Sequence, residues 1–326
     1  MRAVQFDTIG NPAEVLYLRD VPVPSPQAGE VLLRAKVRAI NPSDIAYIQG
    51  GYGIKPKPPC GAGFEGMGVV EAHGEGVDAA KFPKGMRVSF TSLTGVWQEY
   101  VAVHAATLIP LPDAVSDETG AQIFVNPFTA WAMLHECGLK AGDWLLLTAG
   151  ASVFCQLVLQ LAVARGINVI CTVRRDDFTE HLLKLGAKAV VNTAKEDVRV
   201  RVKELTKYGA NAALESIGGE AGAHALESLT RGGIMLVYGM LSFQPIPMNS
   251  AVVIFKQLTV RGFWLTTWMQ TAPKDVQHAA AKELLTLFAT GKLTAPVDAT
   301  FDLAEIKEAV IRSETPGRAG KVLLVG

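Results

Sequence analysis

The chain has few of the features that are typical of secreted proteins, of proteins with structural metal sites or of nucleic-acid-binding proteins. Its 326 residues include only four cysteines, at positions 60, 137, 155 and 171, and no two of them form a Cys-x-x-Cys pair. Scattered cysteines exclude a clustered structural zinc site and predict a reducing compartment without disulfides. The formal net charge is zero. The sequence therefore lacks the basic field that binds nucleic acid or an anionic membrane surface.

Long apolar runs are also missing, so no segment is expected to span a bilayer. The segment Met1–Asp7 has the pattern of a strand and lacks the features of a secretory or organelle signal, and we expect a cytoplasmic protein. Hydrophobic residues are abundant, at 49% of the chain, and there are 31 glycines. This composition is typical of a well-buried globular enzyme. The length exceeds what one ordinary core supports and predicts two domains.

The pattern of the chain changes after Pro112. Before it, strand-like segments such as Val31–Val37 are separated by turn residues, which predicts a β-rich region. After it, Ser116 can cap a helix, and Ala121–Cys137 is compatible with a helix despite its proline. The tail Gly320–Val325 is an apolar strand that we expect to return to the first domain.

From residue 144 onward, strands and helices alternate, which predicts a parallel, doubly wound sheet. We predict an α/β fold in which a Rossmann domain, residues 121–295, is inserted into a β-rich domain of residues 1–120 plus 296–326. The predicted elements are strand Trp144–Thr148, helix Val153–Arg165, strand Asn168–Val173, helix Phe178–Leu185, strand Ala189–Val191, helix Glu196–Lys207, strand Ala212–Glu215, helix Glu220–Thr230 and strand Ile234–Tyr238.

The segment Asp143–Gln156 is the most informative part of the chain. An apolar strand ends there at small residues, and a helix pattern begins directly afterwards. In a dinucleotide fold this turn lets the backbone approach the pyrophosphate, which the helix N-terminus binds. Gly150 matches the first glycine of the G-x-G-x-x-G pattern, while Ser152 and Cys155 stand at the second and third. The turn alone is equally compatible with an ordinary strand-to-helix connection, but the surrounding alternation favours a nucleotide site.

Two arginines, Arg174 and Arg175, follow the second strand of this unit. A carboxylate there would accept hydrogen bonds from the ribose hydroxyls of NAD, whereas arginine pairs with a 2′-phosphate. A solvated strand end is the alternative interpretation, and Asp176 and Asp177 follow directly. The arginines favour NADPH as the cofactor.

Several motifs carry a resemblance to a known family. The most specific segments are Asn41–Ile45, Ile48–Gly53 and Arg261–Trp268, and the supporting segments are Asn126–Ala130, Tyr238–Met240 and Leu293–Pro296. On these motifs, and over essentially its whole length, the chain resembles the medium-chain dehydrogenase/reductase superfamily. Within it, the chain resembles the zinc-free, quinone oxidoreductase-like 2-enoyl thioester reductases. The resemblance implies that the β-rich domain is GroES-like. It also implies NADPH-dependent reduction of an enoyl thioester, with hydride added at Cβ and a proton at Cα.

Zinc-dependent members of that superfamily bind a catalytic metal through a cysteine, a His-Glu pair and a distal ligand. Here Asn41 stands near the expected cysteine, and Phe64 precedes Glu65 where the histidine would be. The histidines elsewhere are too separated to suggest a replacement site. The residues therefore predict no bound metal and no alcohol oxidation through a metal alkoxide.

The resemblance assigns catalytic roles to two aromatic residues. Tyr52 matches the tyrosine that acts as proton donor or enolate partner, and its glycine-flanked turn can present a phenol to a cleft; a packing aromatic is the alternative. Tyr47, five residues earlier, is not selected by the motif. Trp264 matches a tryptophan that holds the substrate, but beside Phe263 and Trp268 it could equally be part of a packed cluster.

The remaining site residues are predicted to contact substrate or cofactor. Asn41 either bonds the carbonyl or nicotinamide side of the site or forms the turn before Pro42. Thr129 matches a position near the nicotinamide, with helix packing as the alternative. The predicted cofactor contacts are Thr129, Ala149, Ser152, Val153, Arg174, Arg175, Tyr238, Gly239, Phe263 and Lys321.

Two departures from the family pattern bear on these expectations. Cys155, preceded by the bulky Phe154, replaces the last glycine of the turn, which can separate helix from strand or alter how the pyrophosphate binds. Phe64 stands at a position that is often polar, which reshapes the substrate side.

Two rival functions and a homodimer complete the expectations. One rival is a quinone or alkenal reductase of the same superfamily, and the other is an NADPH-binding protein without catalysis. A homodimer is expected by analogy, through the Rossmann edge near Val252–Val260.

Overall fold

The computed structural model describes residues 1–93 and 95–326. The α-helices are α1 Pro12–Val15, α2 Pro42–Ile48, α3 Asp117–Gly120, α4 Val125–Cys137, α5 Val153–Ala164, α6 Thr179–Lys184, α7 Val198–Thr206, α8 Gly219–Glu227, α9 Ser250–Lys256, α10 Leu265–Thr271, α11 Lys274–Ala289 and α12 Ile306–Glu314. The strands are β1 Arg2–Phe6, β2 Tyr17–Asp20, β3 Glu30–Ala39, β4 Cys60–Gly61, β5 Glu65–His73, β6 Arg87–Thr91, β7 Tyr100–His104, β8 Ile109–Pro110, β9 Trp144–Leu147, β10 Asn168–Val173, β11 Ala189–Asn192, β12 Ala210–Glu215, β13 Leu229–Val237, β14 Thr259–Gly262, β15 Val297–Asp302 and β16 Lys321–Val325. Within the described ranges, none of these helices combines the length and apolarity needed to cross a membrane.

The described residues form two compact units. One consists of Met1–Val125 together with Ala281–Gly326, and the other is Asn126–Ala280. The domain limits expected from the sequence, at 120/121 and 295/296, remain a prediction.

The first unit is β-rich, as the sequence predicts. It contains a three-stranded sheet in the order β2-β1-β4 and a seven-stranded sheet in the order β15-β16-β3-β5-β6-β8, with β7 also paired to β3. The C-terminal β16 runs antiparallel to β3, with Leu323 opposite Ala39. The predicted return of the last strand to the first domain is therefore confirmed. Trp97, which is fully buried in one of this unit's apolar cores, satisfies its indole by donating Nε1–H to the Ala39 carbonyl at 3.1 Å.

The second unit is a doubly wound parallel sheet. Its strand order is β11-β10-β9-β12-β13-β14, and every neighbouring pair is parallel. Numbered along the chain, this is the 3-2-1-4-5-6 order of the Rossmann fold. Leu145–Leu147 in the central β9 is fully buried, as expected for a strand covered on both faces. The order reverses between β9 and β12, which is where such sheets bind nucleotides.

Most predicted elements of the second unit are present, with one notable difference. The predicted strand Asn168–Val173 coincides with β10, and α5 begins at Val153 as predicted. The predicted helix Glu220–Thr230, however, ends at Glu227, because β13 already begins at Leu229. Leu229 pairs with Ala210, and the register then shifts before pairing resumes further along the strand. A glycine pair inside this irregular stretch obscures the early strand start in the sequence.

Candidate active site

The carboxyl ends of the central strands β9 and β12 are tied together at the point where the strand order reverses. Thr148 Oγ1 accepts a hydrogen bond from the Ser216 amide at 3.0 Å. The buried Glu215 accepts from the amides of Ile217 and Gly218 at 2.6 and 3.0 Å. The two strand ends are thereby fixed at the crevice in which doubly wound sheets bind dinucleotides.

The turn after β9 requires small residues, as the sequence predicts. Ala149 has a positive φ of 51°. A Cβ added to Gly150 would lie 2.6 Å from Cys171 Cβ on the neighbouring β10, a distance that real Cβ atoms do not adopt. Gly150 is therefore needed for close approach between the turn and the adjacent strand.

The helix after this turn begins with a side-chain cap. Ser152 is the N-cap of α5, and its Oγ accepts from the Cys155 amide at 3.2 Å. Val153 occupies the first helical position, where a helix offers its amide no internal acceptor. A helix start of this kind, with its positive dipole end, binds phosphate groups.

Cys155, which departs from the glycine pattern, is accommodated by contacts on both sides. Its Sγ lies 3.2 Å from the Thr148 carbonyl and 3.5 Å from the Tyr238 hydroxyl. The Phe154 ring packs against Tyr238 with 4.6 Å between centroids. Burial is the main reason that the pKa values of the Cys155 thiol and the Tyr238 phenol are raised. The two residues that replace the glycine turn thus pack against the predicted cofactor residue Tyr238.

The two arginines predicted to bind a 2′-phosphate are both exposed at the carboxyl end of β10. Arg175 Nε lies 3.2 Å from Asp177 Oδ2, and within the described ranges no ion pair of Arg174 is present. Asp176, which directly follows them, is instead bound by Asn192 Nδ2 at 2.7 Å. The aspartates at this strand end therefore leave a guanidinium available to an anionic ligand.

The ends of β13 and β14 border a pocket of about 640 Å³. Four predicted residues line it together, namely Tyr238, Gly239, Phe263 and Trp264. Trp264 is 37% exposed, whereas Trp268 is only 6% exposed. Both tryptophans line the pocket, and Trp264 is the more exposed of the two.

Glu136 is a residue of this pocket that the sequence did not single out. Its carboxylate accepts from Arg261 NH2 at 2.7 Å and from Trp268 Nε1 at 3.1 Å. It lies near the end of α4 without any motif around it, so no signal in the sequence identifies it. The predicted Thr129 is half-buried on the same helix and is not among the residues that line this pocket.

In the first unit, Tyr52 is half-buried in the loop after α2. Its amide donates to the Ala46 carbonyl at 3.1 Å, and its ring lies 5.4 Å from that of Phe64. Tyr47 is buried instead, with its hydroxyl 3.8 Å from Cys60 Sγ, and burial raises its pKa to about 12. Of the two tyrosines, the one selected by the motif is the more accessible.

Asn41 is held by a buried carboxylate. Its Nδ2 donates to Glu65 Oε1 at 2.8 Å, and the other oxygen of Glu65 accepts from the amides of Phe124 and Val125 at 3.0 and 2.8 Å. Burial raises the pKa of Glu65. Because Nδ2 is committed to Glu65, the hydrogen-bond network assigns Oδ1 to the opposite side, where it is buried without a partner among the described residues. Asn41 is also the N-cap of α2, so the predicted turn before Pro42 is present.

Lys321, predicted as a cofactor contact, is buried near two carboxylates. Burial lowers its pKa to about 8, and the charges of Glu65 and Asp44 oppose that change. Burial raises the pKa of Asp44 to about 8, and Asp44 Oδ2 accepts from the Asn41 amide at 2.6 Å. Asp44, Glu65 and Lys321 therefore form one interior charge cluster around Asn41. Apart from the undescribed residue 94, no group of three or more His, Cys, Asp or Glu side chains could hold a metal ion.

A parallel sheet in this strand order, with a glycine turn at its crevice, defines the class of the dinucleotide-binding proteins. Two family models match the chain: "Alcohol dehydrogenase GroES-like domain" over residues 27–113 and "Zinc-binding dehydrogenase" over residues 155–282. The human mitochondrial enoyl-[acyl-carrier-protein] reductase is 32% identical over 99% of this chain and 88% of its own length.

Solved structures agree over the full length. A Bacillus thuringiensis protein described as an NADPH:quinone reductase has a TM-score of 0.93 and 34% identity, with 100% of this chain and 98% of that chain covered. A complex of Etr1p with NADP and crotonyl-CoA has a TM-score of 0.88 and 27% identity, with 100% and 99% covered. The chain belongs to the medium-chain dehydrogenase/reductase superfamily and resembles its enoyl reductases. The family and the fold class expected from the sequence are therefore confirmed.

Proposed function

We propose that this protein is an NADPH-dependent reductase of activated carbon–carbon double bonds and that its substrate is a 2-enoyl thioester. The observation that carries the proposal is the similarity to a curated enoyl reductase at 32% identity over 99% of the chain. The match to a structure that holds NADP and crotonyl-CoA supports the same substrate class.

The residues of the second unit fit NADPH. The Gly150 turn and the capped start of α5 suit a pyrophosphate, and the exposed Arg174 and Arg175 suit a 2′-phosphate. When bound, the cofactor supplies the hydride. The further residues of the second unit that we propose as cofactor contacts are Thr129, Ala149, Ser152, Val153, Tyr238, Gly239 and Phe263. From the first unit we propose Lys321.

The reaction needs a proton donor and a surface that orients the acyl chain of the substrate. We assign the proton to the Tyr52 hydroxyl, which donates it to Cα or to the developing enolate. Trp264 forms a wall for the substrate. Asn41 presents an acceptor oxygen rather than an amide N–H, so it suits a donor such as the carboxamide N–H of a nicotinamide and not the thioester carbonyl.

Replacement of the phenol tests this function. Tyr52→Phe should lower kcat on crotonyl-CoA by about tenfold or more, the low end of what a positioned proton donor contributes, while the Kd for NADPH stays nearly unchanged. Tyr47→Phe is the matched control, because it removes a neighbouring phenol that the motif does not select. Unchanged turnover in Tyr52→Phe would remove Tyr52 from the mechanism.

Quinone or alkenal reduction is the second candidate function. It is favoured by the similarity to the NADPH:quinone reductase of Bacillus thuringiensis, at 34% identity. Rates on crotonyl-CoA and on a quinone, measured with the same enzyme, separate the two. Tight NADPH binding without oxidation by any enal, enoyl thioester or quinone would instead favour a non-catalytic binding protein.

We also propose a homodimer, formed through the edge of the parallel sheet. The edge strand β14 is exposed along its whole length, and a groove of about 400 Å³ beside it is lined by Met248, Val253, Ile254 and Val260. An open strand edge next to exposed apolar side chains favours pairing with an identical edge. Light scattering after gel filtration should give twice the chain mass, and a monomer at micromolar concentration would refute this assembly.

The cytoplasm remains the proposed location. The human relative is named as a mitochondrial protein, so fractionation of native cells is the deciding measurement.

A further inference from the structure

Phe64 lies between the two tyrosines discussed above. Its ring centroid is 5.4 Å from that of Tyr52 and 5.3 Å from that of Tyr47, and Tyr47 in turn lies 6.0 Å from Phe6. These separations are within the range in which aromatic rings attract one another. We call Phe6, Tyr47, Phe64 and Tyr52 the aromatic row. Three of its members are buried, and Tyr52 is the half-buried one at its end.

The backbone of Phe64 is fixed from the other side. Its carbonyl accepts from Thr91 Oγ1 at 2.6 Å and from the Ser92 amide at 3.0 Å. The preceding Gly63 has a φ of +89°, and a Cβ there would lie 2.2 Å from the Trp97 ring. Because the Phe64 carbonyl is hydrogen-bonded and Gly63 is tightly packed, the Phe64 ring offers Tyr52 a rigid surface.

The next residue along the chain is Glu65, which holds Asn41. Two consecutive residues thus contact two candidate site residues, Phe64 by ring packing and Glu65 by a hydrogen bond.

We propose that Phe64 is a positioning residue that holds the Tyr52 phenol in place for proton transfer. This inference rests on the proposed role of Tyr52 as proton donor. Tyr52 follows a glycine-rich turn, and Phe64 supplies a ring contact that restricts it. Without that ring, the phenol samples more orientations, and small displacements of a reacting group lower the rate steeply.

The first test is Phe64→Leu, measured with crotonyl-CoA and NADPH. We expect kcat to fall by about fivefold or more, since misplacement by an ångström can cost about a hundredfold, while KM for NADPH stays unchanged. Phe82→Leu is the matched control: Phe82 and Phe64 are both 5% exposed in the same unit, but Phe82 belongs to a different core cluster. Phe64→Met, which conserves volume but removes the ring, replaces Phe64→Leu if that variant does not fold.

The second test places Phe64→Leu in the Tyr52→Phe background. If Phe64 acts through the Tyr52 hydroxyl, the double variant should have the same kcat as Tyr52→Phe alone. If Tyr52→Phe lowers kcat but Phe64→Leu has no effect, or lowers kcat by the same factor in both backgrounds, the positioning role is refuted and the proton donor is retained. If Tyr52→Phe itself leaves kcat unchanged, the proposed donor fails, and the role of Phe64 fails with it.

Discussion

The two units present their candidate residues in opposite ways. In the first unit, Asn41, Glu65 and Lys321 are buried. Asn41 donates a hydrogen bond to Glu65, and the charge of Glu65 acts on Lys321. In the second unit, Arg174 and Arg175 are exposed at a strand end. The named residues of the first unit are therefore shielded from water and interact with other buried groups. The two arginines of the second unit carry their charge at the protein surface.

This difference determines what a substitution should do. Removing one member of a buried hydrogen-bond network leaves its partners unsatisfied, so stability and activity are lost together. Removing an exposed cation changes a ligand contact and little else. The predictions below use this contrast, and each one pairs a residue with a control of the same chemistry at another position.

The largest effect is expected for Glu65→Gln. The two carboxylate oxygens face three donors, which are Asn41 Nδ2 and the amides of Phe124 and Val125. A glutamine side chain would turn its own NH2 group toward at least one donor. We expect a loss of about 2 kcal/mol or more in the free energy of unfolding, measured by denaturant titration, together with reduced turnover.

Glu71→Gln is the control for that prediction. Glu71 lies on the same strand β5 but pairs with Lys84 at the surface, at 2.9 Å. Exposed pairs contribute at most about 1 kcal/mol, so this variant should remain close to wild type. Equal losses of unfolding free energy in both variants would show that the burial of Glu65 does not determine its contribution to stability.

The same contrast explains what could be predicted from the sequence. The parallel sheet was predictable because alternating apolar strands and helices leave a local signal, and Gly150 and the arginines were found because strand ends are local features. The family resemblance selected Tyr52, Asn41 and Trp264 as candidates, and their roles stay predictions. Each of these signals lies within one short segment of the chain.

The buried network was not predictable in this way. Glu65 contacts Asn41, 24 positions away, and the amides of Phe124 and Val125, about 60 positions away. Glu136 meets Arg261 and Trp268 across more than 120 positions. No local pattern encodes such pairings. Phe64 stood out only as an unusual residue, and its contact with Tyr52 depends on how the loop after α2 folds back.

An intermediate effect is expected for the double variant Arg174→Ala, Arg175→Ala. Charge-assisted hydrogen bonds contribute about 1.5–3 kcal/mol each, so KM for NADPH should rise by about tenfold or more. KM for NADH, which lacks the 2′-phosphate, should hardly change, and neither should the melting temperature. The control is Arg231→Ala, since Arg231 is exposed near the amino end of β13, whereas Arg174 and Arg175 follow the carboxyl end of β10. An equal rise in KM for both cofactors would contradict 2′-phosphate recognition.

The smallest effect concerns the pH dependence of stability in the charge cluster. Burial raises the pKa of Asp44 from 3.8 to about 8, so between these values the folded protein holds a proton that the unfolded chain releases. The Asp44 contribution to stability therefore falls as pH rises through this window. Burial lowers the pKa of Lys321 from 10.5 to about 8, so its contribution recovers as pH rises from about 8 to 10.5. Together the two groups predict a minimum near pH 8.

Asp44→Asn isolates the acidic half of this dependence. The amide keeps an acceptor for the Asn41 N–H but does not titrate. The fall in melting temperature between pH 5 and pH 8 should therefore shrink by about 2–4 °C or more, since about 1 kcal/mol gives that shift in a domain of this size and linkage allows about 1.4 kcal/mol per pH unit. Asp113→Asn, at an exposed position of the same unit, should leave the pH dependence as it is in wild type. The sign of the change distinguishes an interior carboxyl from a surface one, because an exposed aspartate stabilised by ion pairs would lose stability on acidification instead. A wild-type melting temperature that rises steadily from pH 5 to pH 8, unaltered by Asp44→Asn, would show that this carboxyl is not held protonated in the interior.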